Sequence, residues 1–179
     1  MSNGKSSLVG MAPVKFHVVF VTVLLCSVIQ LGFGCSDLLL CRSCGHEVAE
    51  DTELRFVPSR LALSYRNDTK IGGKRVSVQL FENPEGLRFE VVTFRRADVL
   101  KHWPADVHFS WFPGHAWTVA ACPRCRAQLG WAFQPAHWPR TVTREEFEGS
   151  EETFVALIIE NLLQEDFASS LIIPKGLRS

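Results

Sequence analysis

The sequence predicts a mostly-β domain, and three observations carry that prediction. Short runs rich in β-branched and aromatic residues recur between residues 76 and 133, each bounded by turn residues. Tight-turn signals, Asn83-Pro84-Glu85-Gly86 and Pro113-Gly114, punctuate those runs. Two identically spaced cysteine pairs, Cys41-Arg42-Ser43-Cys44 and Cys122-Pro123-Arg124-Cys125, stand before the first run and between the last two. At 179 residues and 46% apolar content, the chain is long enough for one domain with a buried core. Basic and acidic residues balance at 19 each, which excludes a polybasic protein that works through phosphate charge. The composition also excludes a disordered or collagen-like chain.

The first 34 residues read as a secretory signal peptide. Lys5 and Lys15 stand without any acid, residues 16–34 are almost wholly apolar, and Gly32 and Gly34 precede a cut before Cys35. An uncleaved anchor is the alternative, because the run approaches the ~18–20 residues of a bilayer span. Cleavage removes two lysines and no acid, leaving 17 basic and 19 acidic residues, net −2. Such a chain has no evident attraction to anionic membranes. The expectation is a secreted protein with a domain over residues 35–165 and a tail over 166–179.

Within the domain, Cys41–Glu47 reads as a turn, and LRFV and LALSY are short apolar stretches split by Pro58. Asn67–Lys74 reads as a polar loop, in which Asn67-Asp68-Thr69 forms an N-glycosylation acceptor. Strands are expected at Val76–Phe81, Leu87–Phe94, Val107–Trp111, Trp117–Ala121 and Leu129–Phe133. The segment EETFVALIIENLLQ places Phe154, Leu157, Ile158, Asn161 and Leu162 at helical spacing, with Ser150 as a cap. A run that apolar can equally be a buried strand.

Six cysteines are present; Cys26 leaves with the leader and Cys35 sits at the cut. In each remaining pair the two-residue spacer lets both thiolates reach one ion at ~2.3 Å, and two such knuckles complete a tetrahedron. Gly45 follows the first knuckle, where the turn needs positive φ. Residues 45–121 separate the knuckles, so a sheet must lie between them, and a metal would tie the two ends of the domain together. One structural zinc held by Cys41, Cys44, Cys122 and Cys125 is the leading assignment. Two disulfides or a thioredoxin-type redox pair at CPRC are the alternatives. Four cysteine ligands leave no open coordination position, which argues against a catalytic metal.

Trp111, Trp117 and Trp131 flank the second knuckle. A Pro-Gly turn can fold Trp111 back towards Trp117, and the knuckle can bring the Trp131 strand alongside. Trp131 and Phe133 lie two apart and share a strand face. Three indoles so placed can wall a box for a compact ring or fill the core.

The string SWFPGHAWTVAACPRC…LGWAF closely resembles the CULT domain, the thalidomide-binding domain of cereblon, and the resemblance runs over roughly residues 38–163. The chain looks like a secreted, single-domain member without the long N-terminal parts of cereblon. The resemblance implies a β-tent: two roughly orthogonal antiparallel sheets pinned by one four-cysteine zinc. It implies a cage of Trp111, Trp117 and Trp131 for a glutarimide-like or uracil-like cyclic imide. Phe133 would lie at the base, Asn83 near the rim, and backbone groups near Ser110 and Trp111 would hold the imide. It also places FVALIIENLL as a strand. Many relatives carry a histidine where this chain has Phe109. His108 stands one step earlier, and on a strand that shift turns its side chain to the opposite face. An affinity lower by about 1 kcal/mol follows, one net hydrogen bond. His115 stands where cereblon has a tyrosine.

The expected function is a binding module without catalytic machinery or nucleic-acid partner. A methionine sulfoxide reductase-like enzyme is one alternative; it would need a nucleophilic cysteine outside the zinc set. A structural interaction domain with a filled aromatic core is the other.

Overall fold

The computed structural model describes residues 37–165. The leader at 1–34, Cys35 and the tail at 166–179 lie outside the described residues. Among those described, no helix is long and apolar enough to cross a membrane.

The fold is mostly β, in two antiparallel sheets. The strands are β1 (Leu38–Cys41), β2 (Glu47–Glu50), β3 (Ser64–Ile71), β4 (Lys74–Glu82) and β5 (Arg88–Phe94). After these come β6 (Leu100–Asp106), β7 (His115–Ala121), β8 (Gln128–Pro135), the helix α1 (Arg144–Glu148), β9 (Phe154–Ile158) and β10 (Leu162–Gln164). The small sheet runs β10-β1-β2 and the large one β3-β4-β5-β9-β8-β7-β6.

The large sheet is apolar on both faces. Phe81, Val91, Phe133, Phe154, Ala156 and Ile158 form one cluster, against which Trp111, Trp117 and Trp131 pack. Val78, Val92, Phe94, Ala120, Leu129, Val155 and Leu157 join the other, together with Leu39 and Val48 of the small sheet. This two-sided burial explains β9. All five of its residues are buried, and it lies between β5 and β8 in the middle of the sheet. Helical spacing over 154–162 is therefore misleading: a strand buried on both faces has no period for a pattern to report. The strand implied by the CULT resemblance is present at Phe154–Ile158 and resumes at Leu162–Gln164 after a 3-10 turn at Ile159–Asn161. Among the described residues the α-helix is α1, ten residues earlier. There the Thr143 hydroxyl accepts from the Glu146 amide and the Glu146 carboxylate from the Thr143 amide, a complete capping box.

Two further expectations are corrected. Val107–Trp111 is not a strand. The Asp106 carboxylate accepts from the His108 amide at 2.8 Å, which turns the chain, and Phe109 then takes φ 56°. The ladder instead uses Leu100–Asp106, so Trp103 sits on β6, where its ring meets Phe147 at 6.0 Å. Residues 67–71 are not a loop but part of β3, an edge strand of the large sheet. Asn67 is exposed there, inside a register shift between Arg66 and Thr69.

Candidate functional site

The two cysteine knuckles have the same local geometry. The Cys41 amide donates to the His46 carbonyl and the Cys122 amide to the Ala127 carbonyl, both at 2.8 Å. The residue after each pair holds a left-handed backbone, Gly45 at φ 71° and Arg126 at φ 64°. Each turn wraps its own pair of sulfurs because the chain reverses at that point. Knuckle one follows β1 of the small sheet, and knuckle two joins β7 to β8 of the large one. Arg42 and Arg124 bind backbone carbonyls across the junction, at Glu160 and Cys44.

The four sulfurs lie within 4.8 Å of one another. Cys41 to Cys125 measures 3.7 Å and Cys44 to Cys122 3.6 Å. A tetrahedron with ~2.3 Å metal–sulfur bonds has edges of ~3.8 Å. A disulfide needs ~2.05 Å. The geometry therefore fits one ion held by four thiolates, and all four cysteines are free. Electrostatics agree. The Ala127 amide donates to the Cys125 sulfur and brings that thiol down to about 7. At Cys44 the His46 amide lowers the value, but burial and three adjacent thiols outweigh it and push it up to about 12. Burial raises Cys41. A cluster without a cation resists ionising its thiols together, and a dication removes that resistance. The disulfide and redox alternatives find no support in this arrangement.

On the other face of the large sheet is a cavity of about 290 Å³ lined by Asn83, Pro84, Glu85, Phe109, Trp111, Trp117, Trp131 and Phe133. Trp117 and Trp131 come from β7 and β8, whose register pairs Trp117 with Phe133 and Val119 with Trp131. On its other side β8 pairs with β9, where Gly130 permits the close approach: a Cβ there would lie 2.0 Å from the Ala156 carbonyl oxygen. Trp111 arrives from the loop before β7. Its ring stacks on Phe81 at 4.8 Å and 8°, and meets Trp131 edge-on at 4.6 Å and 68°. Its indole N–H donates to the Glu82 carbonyl at 3.1 Å, and that of Trp117 to the His108 carbonyl at 2.7 Å. Phe133 is buried behind them, stacked on Phe154.

Asn83 shapes the rim. Its side-chain oxygen accepts from the amides of Glu85 and Leu87 at 3.1 and 2.8 Å, and Gly86 takes φ 82°. The same turn brings Pro84 and Glu85 to the cavity, two lining residues that sequence reasoning missed although it had marked the turn. Two buried residues behind the site were missed as well. The Gln79 side chain accepts from the Ser59 amide and donates to the Val57 carbonyl, both at 2.9 Å. The Ser59 hydroxyl in turn donates to the Trp111 carbonyl. A glutamine inside the apolar run VSVQLF was the available signal.

Ser110 does not line the cavity; its hydroxyl bonds locally with Phe112. His108 also stays out of the lining, for a different reason from the one expected. It lies in a turn rather than on a strand, and Asp106 holds its ring at 2.6 Å. Phe109 lines the mouth and is 78% exposed.

No family model matches the chain. Curated relatives do. Protein cereblon of Danio rerio is 42% identical over 55 residues, which is 30% of this chain and 12% of that protein. Protein cereblon of Drosophila melanogaster is 37% identical over 60 residues, 31% of this chain and 10% of that one. The Drosophila erecta protein is 28% identical over 120 residues, 63% of this chain and 18% of its own length. The matches thus span less than a fifth of each of these relatives. With the four-cysteine cluster, they support a cereblon-like, metal-binding CULT domain.

Proposed function

We propose that the chain is a secreted binding module in which one zinc ion joins the two sheets and a preformed aromatic cage holds a small cyclic imide. The guest is a glutarimide-like or uracil-like ring, free or at the end of a peptide. The observation that carries this reading is the cavity itself. Three half-buried tryptophans and a buried phenylalanine surround about 290 Å³, close to the lower end of the ~300–1,000 Å³ usual for ligand clefts. That suits a single ring better than a drug-sized molecule.

Unpaired backbone groups in the segment that carries Phe109 and Trp111 support this reading. Among the described residues, the amides of Phe109, Ser110 and Trp111 and the carbonyls of Phe109 and Ser110 have no intramolecular hydrogen-bond partner. A cyclic imide presents one N–H and two carbonyls and can pair with such a strip. Aromatic walls then supply contact area while the backbone fixes orientation. Nothing in this reading calls for a catalytic group. The work of full-length cereblon is not carried over, because the matched part is 12% of the Danio rerio protein.

Secretion rests on the leader pattern, and a glycan at Asn67 follows from it; the exposed position of that residue on β3 suits an acceptor. Expression in secreting cells, with N-terminal sequencing for a cut before Cys35 and a glycosidase mass shift, tests both. Binding is tested by titrating tryptophan fluorescence with glutarimide and uracil. The expected result is saturable quenching that Trp117→Ala abolishes while the circular dichroism spectrum stays unchanged. An unresponsive, correctly folded protein would mean that the tryptophans only fill the core.

A further inference from the structure

We propose that the same cage also takes a second class of guest, an organic cation with an N-methylated ammonium head. The proposal rests on the cage admitting ligands, as the reading above requires, but it uses different features of the walls.

Charge comes first. Of the eight residues lining the cavity, Glu85 alone is charged, and no cationic side chain lines it. Glu85 is exposed and forms no ion pair among the described residues, whereas neighbouring Glu82 is neutralised by Arg88 at 2.8 Å. The mouth therefore carries one uncompensated negative charge, which repels anions and attracts cations.

The walls come second. An indole can offer a ligand its N–H or its π-face. In Trp111 and Trp117 the N–H groups are already committed, to the Glu82 and His108 carbonyls. Phe81 covers one face of Trp111, Phe89 and Trp131 pack against the same ring, and the ring still lines the cavity. Aromatic faces carry negative quadrupole density, and a cation within ~6 Å of a ring centroid is attracted to it, tryptophan giving the strongest attraction. Trp111 and Trp131 stand at 68° to each other, so a guest in the angle between them meets both.

Hydration then selects the cation. A small inorganic ion or a bare ammonium would have to give up strong water contacts to enter a cavity whose walls are mainly aromatic rings. An N-methylated head is weakly hydrated, is apolar at its surface, and spreads its charge over methyl groups that pack on rings. An imide would use the unpaired backbone groups at 109–111, while the ammonium would use ring faces and Glu85. The two would compete for one space through separate contacts.

The test uses choline chloride against 3,3-dimethyl-1-butanol, its neutral isostere, titrated into the metal-loaded full chain at constant ionic strength with tryptophan fluorescence as readout. Choline is expected to bind about tenfold more tightly than the alcohol. It should be displaced by glutarimide, and Glu85→Gln, an exposed substitution, should shrink the choline-to-alcohol ratio severalfold. Equal affinities for the two isosteres, or a ratio unchanged in Glu85→Gln, would overturn the proposal. Response to glutarimide but not to choline would do the same and leave the imide reading standing. Response to choline alone would support the cation and remove the imide.

Discussion

Position 109 shows how much one side chain can matter at the rim of a preformed cavity. Phe109 reaches the cavity mouth but offers no donor or acceptor from its ring, and its φ of 56° comes from the turn set by Asp106. Phe109→His would put a donor at that mouth and should raise glutarimide affinity by about 1 kcal/mol, roughly fivefold. A competition titration of the two proteins checks this, and equal affinities would refute it. Ser59 acts more indirectly. Its hydroxyl holds the Trp111 carbonyl, and it is itself buried and held by Gln79. Ser59→Ala should cost about 1 kcal/mol in urea unfolding, because it removes the hydroxyl that donates to the part-buried Trp111 carbonyl. Ser59 was hard to find by reading along the chain, since a lone serine carries no pattern; Phe109 stood out only through the CULT resemblance.

Among the elements, β8 and β9 depend on a close approach that only glycine permits. The Cβ introduced by Gly130→Ala would lie 2.0 Å from the Ala156 carbonyl oxygen and 2.9 Å from the Leu157 Cα, both backbone atoms that cannot step aside. A loss of about 3 kcal/mol is expected in denaturant unfolding, with the pairing that positions Trp131 disrupted. On the other side of the sheet, Arg66 of β3 reaches across β4 to Glu90 of β5, its Nη2 lying 2.5 Å from the carboxylate. The hydrogen bond from Arg66 holds the Glu90 carboxyl below its ordinary value of 4.5. A carboxyl lowered in the folded state adds stability that is present above its unfolded value and is lost as pH falls through the folded one. Urea midpoints should therefore drop as pH falls below about 4.5, and Glu90→Gln should flatten that decline. Element boundaries were legible where turn chemistry is local, as at Asn83–Gly86. They were illegible at β9, where both faces are buried, and at 107–111, where one aspartate side chain overrides the strand character of its neighbours.

For the whole molecule, the four-cysteine cluster joins knuckles from the two sheets, which also share one hydrophobic core. The knuckles are separated by 77 residues, positions 45–121. Closing a loop of that size restricts the unfolded chain by about 4 kcal/mol on the entropic account, before any ligand-bond energy is added. Elemental analysis should find one zinc per chain. Chelation should lower the melting temperature steeply and abolish glutarimide quenching, both reversed by zinc, and Cys122→Ser should reproduce the chelated state. A chelated protein that melts unchanged would show that packing alone holds the sheets together.

The cysteine knuckles, the turns and the tryptophan string were determined by the sequence itself. Each depends on short spacings along the chain, fourteen positions at most between Trp117 and Trp131, and such spacings fix geometry locally. The two-sided burial of β9 and the acidic mouth formed by Glu85 came only from the tertiary structure. They depend on residues dozens of positions apart, and only the strand order of the large sheet brings those residues together.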